Sequence, residues 1–237
     1  MGCIGSVPVR VSDKPSQTTP RRPIIDAPLA AAAHSFTESY APIEPVLLHA
    51  MSWAAELGVV AVGPGAGAAL RLLASATRAK SVVEVGTGTG VSGLWLLRGM
   101  RPDSVLTSID VEPEHQAMAK QSFAAAGFAN GRSRLIVGNS RTVLPRLADD
   151  AYDLVFVDSI VSEYAHCVSA AHRLLRPGAM LVVNNALGAG NGVIDPKAHD
   201  QDTLIMRELI AYFRDTPEWT CTLLYAGQGL LCAVKTS

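Results

Sequence analysis

From residue 42 onward the apolar residues of this chain change spacing in a regular order. Residues 43–57 carry them at helical intervals, and 67–76 does so again after the Gly63-Pro64-Gly65 turn. Short Val, Ile and Leu runs then alternate with amphipathic stretches. Strand-like segments 81–85, 105–109, 133–137, 152–157 and 179–183 are interleaved with helix-like segments 91–97, 113–126, 142–147, 162–175 and 202–213. Such alternation predicts parallel strands joined by crossover helices, a doubly wound α/β sheet of the Rossmann-like kind. The last two runs, 219–225 and 229–234, have no helix-length segment between them and predict an antiparallel hairpin.

The chain has 237 residues, 49% apolar and 17% charged, which suffices for one large core. Residues 26–237 therefore read as a single domain. Residues 1–25 are rich in Pro, Ser/Thr and basic side chains and read as a flexible tail, without an apolar core for a signal peptide. The tail begins Met1-Gly2-Cys3-Ile4-Gly5-Ser6, which satisfies a loose myristoylation pattern too short to carry weight. No run approaches a membrane span, and a net charge of −1 gives no electrostatic reason to expect nucleic acid. Cys3, Cys167, Cys221 and Cys232 have neither paired nor metal-ligand spacing, so they read as ordinary thiols of a reducing, cytoplasmic compartment.

The chemistry is concentrated in Val82-Val83-Glu84-Val85-Gly86-Thr87-Gly88-Thr89-Gly90-Val91-Ser92, where an apolar strand ends in an acid and a glycine-rich turn before a helix. That is the outline of a nucleotide-type cofactor site. The glycines do not follow Gly-x-Gly-x-x-Gly, since Val91 stands where the third is expected, and no Walker lysine follows. Asp110 ends the next strand-like run, twenty residues after Gly90, where an acid can accept from both ribose hydroxyls of a cofactor.

Further motifs follow in order: Pro64-Gly65-Ala66-Gly67, Gly138-Asn139-Ser140, Leu154-Val155-Phe156-Val157-Asp158, Leu175-Arg176-Pro177-Gly178, Asn184-Asn185 before Gly188, and Gly229-Leu230-Leu231. With the glycine turn and Asp110, this series resembles the class I methyltransferases that use S-adenosylmethionine. It is most similar to small bacterial members of the catechol-type and caffeoyl-CoA-type O-methyltransferase family, over about residues 35–235. The resemblance implies a seven-stranded, mostly parallel sheet whose last strand is antiparallel, with an N-terminal helical cap. It places Val62, Gly86 and Thr87 beside the methionine part of the cofactor, Glu84 under that turn, and Ser92 at its carboxylate. It places Asp110 at the ribose, Val111 and Ser140 at the adenine, and Asp158 between cofactor and acceptor. A homodimer and a small-molecule acceptor are implied as well, and no nucleic acid or membrane.

The family also implies a divalent cation, usually magnesium, held by an acid and an Asp-Asn pair. Here those positions are Asp158, Asn184 and Asn185, so one carboxylate is replaced by an amide and divalent affinity is expected to fall. The family pattern Asp-x-x-Lys-x-x-Tyr reads Asp158-Ser159-Ile160-Val161-Ser162-Glu163-Tyr164, which keeps Tyr164 but loses the lysine to Val161. Gly227-Gln228-Gly229 also departs from the family's Gly-Asp-Gly. Catalysis is therefore expected from Asp158, Tyr164 and His166, with Glu163 and His199 on segments able to face the site. His34 and His49 read as surface or packing residues, and the Gly- and Asn-rich stretch 186–201 as a mobile loop over the acceptor. The expected activity is methyl transfer to an oxygen of a small aromatic hydroxyl compound, with metal dependence weakened or lost. Transfer to another acceptor without metal, and cofactor binding with little catalysis, are the alternatives.

Overall fold

The computed structural model describes residues 26–128 and 130–236. The tail at 1–25, with Cys3 and the myristoylation-like pattern, lies outside them. In chain order the elements are α1 (Ala27–Glu38), α2 (Pro45–Glu56), α3 (Pro64–Ala76), β1 (Ser81–Val85), α4 (Val91–Gly99), β2 (Val105–Asp110), α5 (Pro113–Ala125), β3 (Ser133–Val137), α6 (Ser140–Val143), β4 (Tyr152–Val157), α7 (Tyr164–Leu174), β5 (Leu175–Val183), α8 (Gln201–Asp215), β6 (Trp219–Leu224) and β7 (Leu230–Lys235). Short 3-10 turns lie at Leu144–Arg146, Val161–Glu163 and Ala189–Ile194.

The strands form one seven-stranded sheet in the order β3-β2-β1-β4-β5-β7-β6. β1 pairs in parallel with both β2 and β4, and β7 runs antiparallel to β5 and β6. The expected topology is therefore present, with β7 the reversed strand. The order turns back at β1, between β2 and β4, and ligands of open α/β sheets bind outside the strand ends at such a switch point.

Period-two alternation explains both packed faces. Val83, Val85, Val155, Val157, Leu181 and Val183 pack with α7 and α8 residues such as Leu174, Met206 and Phe213. Val82, Leu106, Leu154, Phe156 and Val182 pack with Leu70 of α3, Leu94 and Trp95 of α4 and Phe123 of α5. A Cβ on Gly67 or Gly93 would run into the rings of Trp95 and Phe123, so these small residues set the helix spacing on that face.

Two boundaries differ from the pattern-based expectation. Helix α1 was not expected as a separate element, because its run Ala27-Pro28-Leu29-Ala30-Ala31-Ala32-Ala33 has no apolar face and no residue of it is buried. Local signals make it: Asp26 caps the Leu29 amide, and Pro28 sits in the first turn. Strand β5 begins at Leu175 rather than 179, since Leu175 pairs with Tyr152 before the register shifts across Arg176-Pro177-Gly178.

Among the described residues, no helix is long and apolar enough to cross a membrane. Cys167, Cys221 and Cys232 are free thiols, and burial pushes Cys167 and Cys232 up to about 11.

Candidate active site

A cleft of about 430 Å³ opens over the carboxyl ends of β1, β2, β3 and β4, a size usual for small-molecule sites. Val62, Gly86, Thr87, Ser92, Asp110, Val111, Ser140 and Asp158 all line it. The sheet thus gathers eight residues that the sequence spreads over nearly a hundred positions.

The β1 turn is shaped by positive φ at Gly86, Gly88 and Gly90 (99°, 47° and 89°). A side chain at Gly86 would also overlap the Asp158 carbonyl, so backbone from β1 and β4 meets directly at the cleft floor. Gly90 caps α4, whose first residues, Val91 and Ser92, face the cleft. Asp110 braces the turn from β2: one oxygen accepts from the Gly88 amide at 2.9 Å, and the other from the Glu112 amide at 3.0 Å. His115, in the first turn of α5, stands 3.4 Å from Asp110 and lines the cleft beside it. Sequence reasoning passed over His115, although its place just after the β2 acid was a usable signal.

Glu84, expected under the turn and among the cofactor-binding residues, is fully buried beneath the turn and does not line the cleft. Its carboxylate accepts from Ser92 at 2.6 Å and from Ser108 at 2.5 Å. Burial pushes Glu84 up to about 7; the two serine hydrogen bonds pull the other way, and the charges of Asp158 and Asp110 add to the rise. Thr87 lies 2.6 Å from Ser108 and accepts from the Gln116 amide nitrogen at 2.9 Å.

On the β4 side, burial pushes Asp158 up to about 6, opposed by one hydrogen bond from Asn184. That bond runs from the Asn184 amide nitrogen to an Asp158 oxygen at 2.9 Å. The donor set expected for a metal is thus one carboxylate with an amide nitrogen, which has no lone pair to offer, turned toward it. Neither Asn184 nor Asn185 lines the cleft, and no cluster of three His, Cys, Asp or Glu suited to a metal exists among the described residues. As arranged, these side chains do not fit a divalent cation.

Tyr164 is also placed otherwise than expected. It is fully buried, and its hydroxyl donates to the Asn184 carbonyl at 3.3 Å, so it fixes the strand-end loop and cannot meet an acceptor. Burial holds its phenol far above the usual range. His166 lies three residues after the cleft-facing Glu163 and does not line the cleft; its Nε2 is buried without a hydrogen-bond partner among the described residues. His199 is exposed and outside the cleft. Ser159 and Ile160, by contrast, do line it, and the buried Ser159 hydroxyl has no protein partner among the described residues.

Segment 186–201, read from composition as mobile, is tied down. The Arg207 guanidinium of α8 donates to the carbonyls of Gly192, Val193, Asp195 and Ala198, and none of the segment's described side chains lines the cleft. His34 stacks on Tyr225 at 4.1 Å and His49 packs on Trp53, which fits their reading as packing residues.

Known proteins share this arrangement. The family model described as O-methyltransferase matches residues 45–236. A protein of Mycolicibacterium vanbaalenii whose name places it among the O-methyltransferases is 47% identical over 205 residues, covering 86% of this chain and 88% of its own. One from Mycobacterium sp. strain JLS, similarly named, is 45% identical over 225 residues, covering 94% and 98%. Among solved structures, a Corynebacterium glutamicum protein superposes with a TM-score of 0.80 at 30% identity, covering 88% of this chain and 98% of that one. The Streptomyces achromogenes O-methyltransferase TomG, solved with S-adenosylmethionine, superposes with a TM-score of 0.77 at 28% identity, covering 87% and 96%.

Proposed function

The chain belongs to the O-methyltransferase family, and we propose that it methylates an oxygen of a small aromatic hydroxyl compound from S-adenosylmethionine without a divalent cation. The observation that carries this reading is the position of Asp158: a buried carboxylate in the cleft wall whose side chain is held, among the described residues, by the Asn184 amide, and whose backbone carbonyl lies directly against the Gly86 turn.

In this reading the ribose hydroxyls bind Asp110 and the amino-acid end lies along Gly86, Thr87 and the start of α4. Val111 and Ser140 border the adenine. When bound, S-adenosylmethionine supplies a methyl group already activated on a sulfonium, so the protein has mainly to align the acceptor and remove its proton. Val59, Val60, Ala61, Val62 and Ile160 give the cleft apolar walls, which suit an aromatic ring. Asp158, ionised above about pH 6, takes the hydroxyl proton as the oxygen bonds to the methyl carbon. The carbon–sulfur bond breaks with its electron pair going to sulfur, leaving a methyl ether, a thioether and a protonated Asp158.

The exposed apolar side chains Leu29, Phe36, Tyr40 and Leu48 on and beside α1 and α2 support a homodimer face as part of the same proposal.

Calorimetry with S-adenosylmethionine, joined to a methylation assay over phenolic acceptors with and without chelator, tests the reading. The expected result is tight binding, about 30-fold weaker in Asp110→Ala, and turnover on a phenol unaffected by the chelator. Binding without turnover on any acceptor would make this a cofactor-binding protein, and loss of turnover with chelator would restore the metal.

A further inference from the structure

The cleft is walled by charges of one sign. Asp110, Glu112, Asp158 and Glu163 line it, His115 is the one basic side chain beside them, and no lysine or arginine lines it among the described residues. His115 stands against Asp110, and the Arg141 guanidinium comes only to 4.0 Å from Glu163, from its exposed place on α6. Asp158 is met by the neutral Asn184 amide. Around these acids the wall is aliphatic, and Val60 and Ile160 line the cleft while remaining 80% and 68% exposed, which puts them at its rim.

Carboxylates set in apolar walls focus their field into the space between them. The sulfonium, ammonium and carboxylate of S-adenosylmethionine sum to a single positive charge, which does not offset four wall acids. A carboxylate or phosphate on the acceptor would give up water to enter this space, and no guanidinium or ammonium of the described wall replaces what it loses. An uncharged ring carries no such cost. The exposed side chains of Val60 and Ile160 offer it apolar surface to cover.

Resting on the methyl transfer proposed above, we infer that the acceptor is a phenol free of anionic groups, selected by the carboxylate-lined wall of the cleft together with the apolar rim at Val60 and Ile160. Phenols that carry a carboxylate or a phosphate are turned away. The discrimination works through like charge rather than through fit, on entry as well as on binding, so it weakens as salt screens the wall.

The test compares phenolic carboxylates with their methyl esters, 4-hydroxyphenylacetate and 3,4-dihydroxyphenylacetate among them. The ester is the larger of each pair, so selection by size alone would favour the acid. Two quantities are read: kcat/KM by product formation, and calorimetric affinity for the protein loaded with S-adenosylhomocysteine. Each ester is expected to exceed its acid by roughly tenfold or more in both. Raising salt from about 0.05 to 0.5 M is expected to bring the ratio within about threefold. Glu112→Gln and Glu163→Gln each take one charge from the wall and keep its shape, and each is expected to narrow the ratio about two- to threefold by improving the acid. Glu112 is exposed, so its variant answers the question should Glu163→Gln fail to fold. An acid used as well as its ester, or a preference that neither salt nor the variants move, would overturn the inference while leaving the methyl transfer standing. Turnover of no phenol at all, acid, ester or otherwise, would overturn the proposed activity, and the inference with it.

Discussion

Ser92 gives its only hydroxyl proton to Glu84, 2.6 Å away beneath the glycine turn. Ser108 does the same from the other side at 2.5 Å. With the Ser108 proton committed, the 2.6 Å contact between Thr87 and Ser108 must run from Thr87 to Ser108. The Gln116 amide then feeds Thr87. Every proton in this network points inward to one buried carboxylate, so Ser92 and Thr87 turn acceptor lone pairs to the cleft while Glu84 is ionised.

The same burial has a cost that varies with pH. Glu84 is raised from 4.5 to about 7, so the folded state holds its proton more tightly than the unfolded chain. Its contribution to stability is fully present below about pH 4.5 and is lost as pH rises through about 7. Glu84→Gln removes that dependence. Urea unfolding of both proteins should show the difference moving toward the variant by up to about 3 kcal/mol between pH 4.5 and 8; a difference constant with pH would contradict it. Affinity for S-adenosylmethionine should fall in the variant, because an amide cannot accept from both serines and one hydroxyl must turn.

Asp158 predicts the pH profile of the reaction. Raised from 3.8 to about 6, it is a competent proton acceptor only above that value. In wild type, kcat/KM should rise about tenfold per pH unit below pH 6 and level off above it. Asp158→Asn should lower the rate by roughly 10² to 10⁴ and flatten that limb. A rate measured by product formation that stays level from pH 4.5 to 8 would remove Asp158 from the proton transfer.

Asn184 separates this chain from the metal-binding pattern of the family it resembles. Asn184→Asp would set two carboxylates where a 2.9 Å hydrogen bond now lies. Two like charges at that distance share a proton unless a cation lies between them. Magnesium should therefore raise the unfolding temperature of the variant in a concentration-dependent way, while leaving wild type unchanged. An identical response from both proteins would contradict the assignment.

The strands and their mostly parallel pairing were legible because uninterrupted runs such as Val82 to Val85 and Leu154 to Val157 are buried on both faces. That these residues gather at one cleft was legible because glycine turns and strand-end acids have fixed places in such sheets. Depth was not legible at Tyr164: the sequence shows it next to the site without showing that it lies buried behind it. Partners were hidden for the same reason. Arg207 reads as a surface helix charge, yet it holds four carbonyls of the 186–201 segment.

Glu38, at the end of α1, receives the amides of both Gly65 and Gly227 in its carboxylate. The first lies 27 residues along the chain and the second 189. The clasp thus joins the opening helix to the turn that leads into the final strand. Closing so long a loop is favourable only when the intervening chain is compact, so the clasp depends on the rest of the fold. The two ends of the described chain hold each other, and trimming the β6–β7 turn would release the opposite end of the molecule.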